Sequence, residues 1–117
     1  MLFKGTHLGG KIVRQITHST VDHVGMIIKL KSDEDENTNN LYVLEAVGDG
    51  VNLNKWEDVR DYLGKSYSHY SECVYRHLVF PRTEDQLENL DYFLKEVVGH
   101  KYSLNPKKIL QNKTTYL

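Results

Sequence analysis

At 117 residues with a net charge of −1, the chain is sized for one domain with a real core and not for two. Its 15 Lys and Arg against 16 Asp and Glu argue against a general nucleic-acid or membrane-surface binder, which needs a basic excess. The single cysteine, Cys73, excludes an internal disulfide and fits a reducing, cytoplasmic setting.

No apolar run reaches the ~18 residues of a transmembrane helix. The N-terminal "MLFKGTHLGG" lacks the long apolar segment of a signal peptide. Eight tyrosines and two prolines mark a globular chain.

"MLFKGT" leads with apolar residues and is expected to be an edge strand. "LGGKIVRQITHS" places Leu8, Ile12, Val13 and Ile16 on one helical face, so a short helix is expected. "DHVGMIIKLK" reads as a strand with Val24, Met26, Ile28 and Leu30 on one face and His23, Gly25, Ile27 and Lys29 on the other. "SDEDENTNN" has no apolar anchor and reads as a solvated loop or hairpin tip.

"LYVLEAVGDGVNL" is a second strand closed by a Gly-Asp-Gly turn. Leu41, Val43, Glu45 and Val47 share one face, so Glu45 is a carboxylate in an apolar row. "NKWEDVRDYLG" carries Asn54 and Glu57 at capping-box positions and Gly64 as the stop, which predicts a helix of about two turns. "SECVYRHLVF" reads as a third strand.

"RTEDQLENLDYFLKEVVG" is the clearest element. Thr83 and Gln86 form a capping box, Gly99 ends the helix, and Leu87, Leu90, Leu94 and Val97 form its apolar stripe. That stripe is expected to pack on Val24, Met26 and Ile28. "HKYSLNPKKILQNKTTYL" reads as a loop with a short helix opened by Pro106. The fold class is therefore α+β, an antiparallel sheet with helices packed on it, over a single domain of residues 1–117.

His23 and Glu45 are the polar intruders in their strands. The two strands are consecutive and should pair antiparallel. His23 lies nine residues before Ser32 and Glu45 five after Asn40, so the simplest register does not set them directly opposite. They can still share a face and one end of the sheet. A His–carboxylate pair there would orient an imidazole and fix its tautomer, as a general base requires. The competing reading is a structural histidine and a solvent-facing glutamate.

His7, His18, His69, His77 and His100 show no metal-ligand spacing, and no metal or cofactor is expected. Gly9, Gly10, Gly48 and Gly50 form no phosphate-binding motif. The basic residues from Lys107 to Lys113 and Arg14 are dispersed, as on a solvated surface. Cys73 lies inside a predicted strand with Tyr75 and His77 on its face. It reads as a partly buried structural thiol and not as a nucleophile held at a helix start.

Taken together, "FKGTHLGGKIVRQITHSTVDHVGMIIK", "LYVLEAVGDGVNLNKWEDV", "CVYRHL" and "LKEVVGHKYSL" resemble the circularly permuted papain-like group of the NlpC peptidase superfamily. Its relatives are the YiiX-type proteins and, more distantly, lecithin–retinol acyltransferase, with close versions in protists. The resemblance runs from residue 2 to about residue 110, and its specific part is "DHVG" with "LEA…GV".

It implies a permuted papain-like fold, His23 as general base and Glu45 as the acid that orients it. It also implies a nucleophilic cysteine after the "GHKYSL" block, which this sequence does not carry. Two explanations compete. Either these residues are the amino-terminal part of a longer cysteine-dependent hydrolase or acyltransferase acting on an amide or ester, or they are a non-catalytic module that binds a peptide or lipid. Either way these residues alone are expected to be inactive. The surface left by the absent block is expected to favour a homodimer or element swapping.

Overall fold

The computed structural model describes residues 1–30, 40–66 and 68–101. These form an α+β fold: a five-stranded antiparallel sheet and, among the described residues, three helices. In chain order the elements are β1 (Leu2–Gly5), α1 (Leu8–Thr17), β2 (His23–Lys29), β3 (Leu41–Val47), β4 (Gly50–Lys55), α2 (Trp56–Tyr62), β5 (Tyr70–Val74) and α3 (Glu84–Val97). The strand order across the sheet is β4-β3-β2-β1-β5. The loop expected at "SDEDENTNN", apart from Asn40, and the short helix expected at Pro106 lie outside the described residues.

The expected pairing of the second and third apolar runs is present, with Gly25 opposite Glu45 and Ile27 opposite Val43. Residues facing each other across an antiparallel pair project to one side. His23, Gly25, Ile27, Val43 and Glu45 therefore share a face. The chain then reverses through Gly48 and Asp49, and β4 pairs with β3 from Gly50 opposite Val47 to Lys55 opposite Tyr42. β4 spans the end of the segment expected as the second strand, "LYVLEAVGDGVNL", and the first two residues of the expected helix, "NKWEDVRDYLG".

Leu2–Gly5 is not an edge strand. β2 uses one of its sides and β5 the other. Phe3 faces His23 across one ladder and Cys73 across the other, and it is fully buried. β5 is shorter than the predicted third strand because the four residues of β1 can pair only Tyr70 to Val74. Beyond Val74 the ladder has no partner, and Leu78, Val79 and Phe80 are exposed.

α1 forms where predicted, but Leu8 and Ile16 are 72% and 74% exposed, and Ile12 and Val13 are also exposed. The opposite side of the helix is the anchored one. His7 caps its start, its Nδ1 accepting from the Gly10 N–H. Arg14 donates to the Gly5 carbonyl at 2.9 Å and to the Asp22 carboxylate. The Asp22 side chain is almost wholly buried and also accepts from the Gly5 N–H at 2.8 Å. This pair ties α1 to β1 and to the entry of β2.

α3 has the predicted capping box in full, with Thr83 and Gln86 exchanging side-chain bonds with each other's backbone N–H. Gly99 follows its end at φ +87°, a conformation that glycine adopts without strain. Leu94 of its stripe is buried. Of the three sheet residues the stripe is expected to cover, Val24 and Met26 are exposed, while Ile28 is buried. The helix exit runs beside β4, where Gly99 donates to the Val51 carbonyl and Val51 to the His100 carbonyl. Phe3, Ile28, Val43 and Leu94 are the buried apolar residues among those described.

Candidate active site

His23 opens β2 and Glu45 lies in the middle of β3. The register sets Glu45 opposite Gly25, so His23 stands two residues away on the same face. A diagonal contact is enough, and no bulge between these strands is needed. His23 Nε2 lies 2.9 Å from Glu45 Oε2. The His23 side chain is 21% exposed and the Glu45 side chain 6%, so the carboxylate is withdrawn and the imidazole keeps a path to solvent.

Two further residues meet Glu45. Asn54 Nδ2 donates to Oε1 at 3.1 Å, and the Tyr70 hydroxyl donates to Oε2 at 2.7 Å. The carboxylate thus accepts from three side chains, and these oppose the cost of burying it. Burial alone would raise the Glu45 carboxyl. The hydrogen bonds from His23, Tyr70 and Asn54, with the charge of His23, outweigh that and hold it below the ordinary carboxylate range. Tyr70 moves the other way: burial and the adjacent Glu45 carboxylate push its phenol well above the ordinary value.

An ionised carboxylate only accepts hydrogen bonds. His23 must therefore present Nε2–H to Glu45, and its neutral form keeps the lone pair on Nδ1. Among the described residues no hydrogen bond to Nδ1 is formed. The ring is held in place by aromatic neighbours, with Tyr70 nearly parallel to it (10°) at a centroid distance of 5.4 Å and Phe3 at 6.0 Å.

The structure thus brings together the two residues singled out from the sequence and adds Tyr70 and Asn54. Asn54 is not a helix cap, since α2 starts after Lys55 and has no side-chain cap. Asn54 belongs to β4, opposite Val43, and therefore projects to the Glu45 face. Asp22, although adjacent to His23 in sequence, serves the Arg14 pair and not the imidazole. Cys73 shares the face of His23 but lies on the far side of Phe3. Two strand spacings separate the two backbones by roughly 10 Å. Tyr75 and His77, expected on the Cys73 strand, lie beyond its end and bond to each other at 2.8 Å.

A cleft of ≈310 Å³ opens beside Glu45 and Tyr70, with Asn54, Val59, Tyr62 and Ser68 among its walls. Among the described residues no group of three or more His, Cys, Asp or Glu is placed to hold a metal ion. No helix among them is long and apolar enough to cross a membrane. Compared with protein-family models, with curated proteins and with solved structures, the chain matches none.

Proposed function

We propose that His23 and Glu45 are the general base and orienting acid of a thiol-dependent acyl hydrolase or acyltransferase of the permuted papain-like kind. The observation that carries this is the imidazole–carboxylate contact: Nε2 lies 2.9 Å from a buried carboxylate, the ring is 21% exposed, and among the described residues nothing is bonded to Nδ1. The chemistry follows from that contact. A thiol gives its proton to Nδ1 and attacks the carbonyl carbon of an amide or ester. Glu45 stabilises the imidazolium that forms. As the tetrahedral intermediate collapses, His23 returns the proton to the leaving nitrogen or oxygen and a thioester remains. Water or an acceptor hydroxyl or amine, deprotonated by His23, then takes the acyl group and releases the thiol.

Cys73 is not the thiol in this scheme, because Phe3 stands between it and His23. The nucleophile is supplied from outside these residues. An added small thiol can stand in for it. With a p-nitrophenyl ester and 2-mercaptoethanol, the chain is expected to accelerate thiolysis above the uncatalysed rate by about tenfold, below the ~10²–10⁴-fold of a positioned general base because the added thiol is not held in place. His23→Ala is expected to abolish that gain. Acceleration that survives His23→Ala, or none at saturating thiol, contradicts the assignment.

The second reading is a non-catalytic module that binds a peptide or lipid chain. It is favoured by the cleft beside Glu45 together with the distance of the chain's own cysteine. Ligand binding in the cleft with no thiol-dependent turnover is the outcome that selects it.

A further inference from the structure

We propose that Tyr70 is a positioning residue of the His23–Glu45 pair, fixing both the ionisation of the acid and the plane of the base. The assignment rests on reading His23 as a base. It stands on three observations: where the hydroxyl points, what the ring covers, and how the backbone is built to aim it.

The hydroxyl reaches the same oxygen as the imidazole. Oε2 of Glu45 receives Tyr70 at 2.7 Å and His23 at 2.9 Å, and Oε1 receives Asn54 at 3.1 Å. Two of the three contacts, from the Asn54 amide and the Tyr70 hydroxyl, are hydrogen bonds donated to the carboxylate. Such bonds strengthen with negative charge on the acceptor. The set therefore favours the anion, and the anion dictates which nitrogen of His23 carries the hydrogen. Without the Tyr70 hydroxyl one of these donors is gone, and the protonated carboxyl becomes easier to form.

The ring supplies the second restraint. It stacks on Phe3 with centroids 4.5 Å apart and on His23 at 5.4 Å. The imidazole plane is thereby fixed within a wall of two aromatic rings, so that Nε2–H stays aligned with Glu45.

The third observation is local. Tyr70 belongs to β5, three strands from Glu45 in the sheet order. It reaches the carboxylate because the β1–β5 register shifts between Lys4 and Gly5, which sets Tyr70 opposite Gly5. The preceding turn is tied at several points. Ser68 Oγ accepts from the Tyr70 N–H at 3.1 Å, and the Tyr70 carbonyl accepts from Gly64 at 3.0 Å. Thr6 donates from its backbone to the His69 carbonyl and from its hydroxyl to the Ser68 carbonyl. A bulge and a tied turn at one position are devices that re-aim a side chain.

The test is solution NMR on the native chain, Tyr70→Phe and Tyr70→Leu, reading the Glu45 carboxyl titration and the His23 ring nitrogens. In Tyr70→Phe, which keeps the ring, the Glu45 midpoint is expected to move upward and the His23 Nε2–H to exchange faster with water. In Tyr70→Leu the Nε2–H signal is expected to be lost and the two ring nitrogens to average. A Tyr70→Phe chain that merely melts earlier, with both signals unchanged, overturns the proposal. A native chain whose His23 carries its hydrogen on Nδ1 overturns the base assignment instead, so the two failures are distinct. Without any substitution, the native Tyr70 hydroxyl proton is expected to be downfield, slow to exchange and coupled by cross-relaxation to His23 Nε2–H. Its absence also overturns the proposal.

Discussion

Glu45 faces Gly25 across the β2–β3 ladder, yet its carboxylate meets the His23 imidazole at 2.9 Å. The two-residue offset keeps both side chains on one face, and the missing side chain at Gly25 leaves the diagonal open. A Cβ added at Gly25 would come within 2.9 Å of Val43 and 3.2 Å of Phe3. The same glycine that clears the diagonal thus lets the core close beneath it.

Removing the carboxylate should cost more than one hydrogen bond. Glu45→Ala leaves His23, Tyr70 and Asn54 without their common acceptor and opens a gap beside Val43. The expected loss is about 2–4 kcal/mol, the range for breaking a buried, hydrogen-bonded charge. Urea denaturation monitored by the single tryptophan, Trp56, measures it. A loss near zero would mean that the carboxylate is solvated and not gripped.

Acid should uncouple the same network. The Glu45 carboxyl is held below its ordinary value in the fold by the donors that overcome its burial. A depressed carboxyl contributes stability above its unfolded value, about pH 4.3, and that contribution is lost as the pH falls through the folded value. The urea midpoint is therefore expected to drop below about pH 4 by more in the native chain than in Glu45→Gln, which has no proton to gain. Parallel profiles would contradict the assignment.

At alkaline pH the sign reverses. Burial and Glu45 raise the Tyr70 phenol, so its contribution is full below the unfolded value, about pH 10, and falls as the pH rises above it. Tyr70→Phe is expected to flatten the stability profile between about pH 10 and 11.5 relative to the native chain. The comparison is made at matched ionic strength, by thermal melting.

Two adjacent glycines in α1 should respond in opposite directions. A Cβ at Gly9 meets nothing within 4 Å, whereas one at Gly10 would lie 2.1 Å from Asp22 Oδ2 and 2.9 Å from the His7 ring. Gly9→Ala is expected to stabilise by about 0.5 kcal/mol through helix propensity. Gly10→Ala is expected to destabilise by about 2 kcal/mol, because the Asp22 carboxylate is fixed by Arg14 and Gly5 and must shift. Equal effects in denaturant melts would show that Asp22 is free to move.

Much of this arrangement was legible in the sequence because it rests on period-two alternation. His23 and Glu45 stand out as polar members of apolar rows, and consecutive rows pair. Thr83, Gln86 and Gly99 mark the bounds of α3 for similarly local reasons. Tyr70 was not legible, since its position depends on a register shift opposite β1, about 65 residues earlier in the chain, and no nearby pattern encodes that. Asn54 was ambiguous: Asn-x-x-Glu fits a helix cap, and only the β3–β4 register turns it toward Glu45. The stripe of α1 marks the helix, which forms, because periodicity shows that a helix has an apolar side but not that anything covers it. Here the anchored side is that of Gly10 and Arg14.

The central claim concerns which nitrogen of His23 is left to take a proton, and long-range proton–nitrogen NMR of the neutral imidazole reads it directly. The predicted result is a single tautomer with hydrogen on Nε2, seen as a downfield and slowly exchanging proton, and a bare Nδ1. In Glu45→Ala that proton should exchange freely and the ring nitrogens should average. Hydrogen on Nδ1 in the native chain, or a native spectrum indistinguishable from that of Glu45→Ala, would contradict the assignment of His23 as an oriented base.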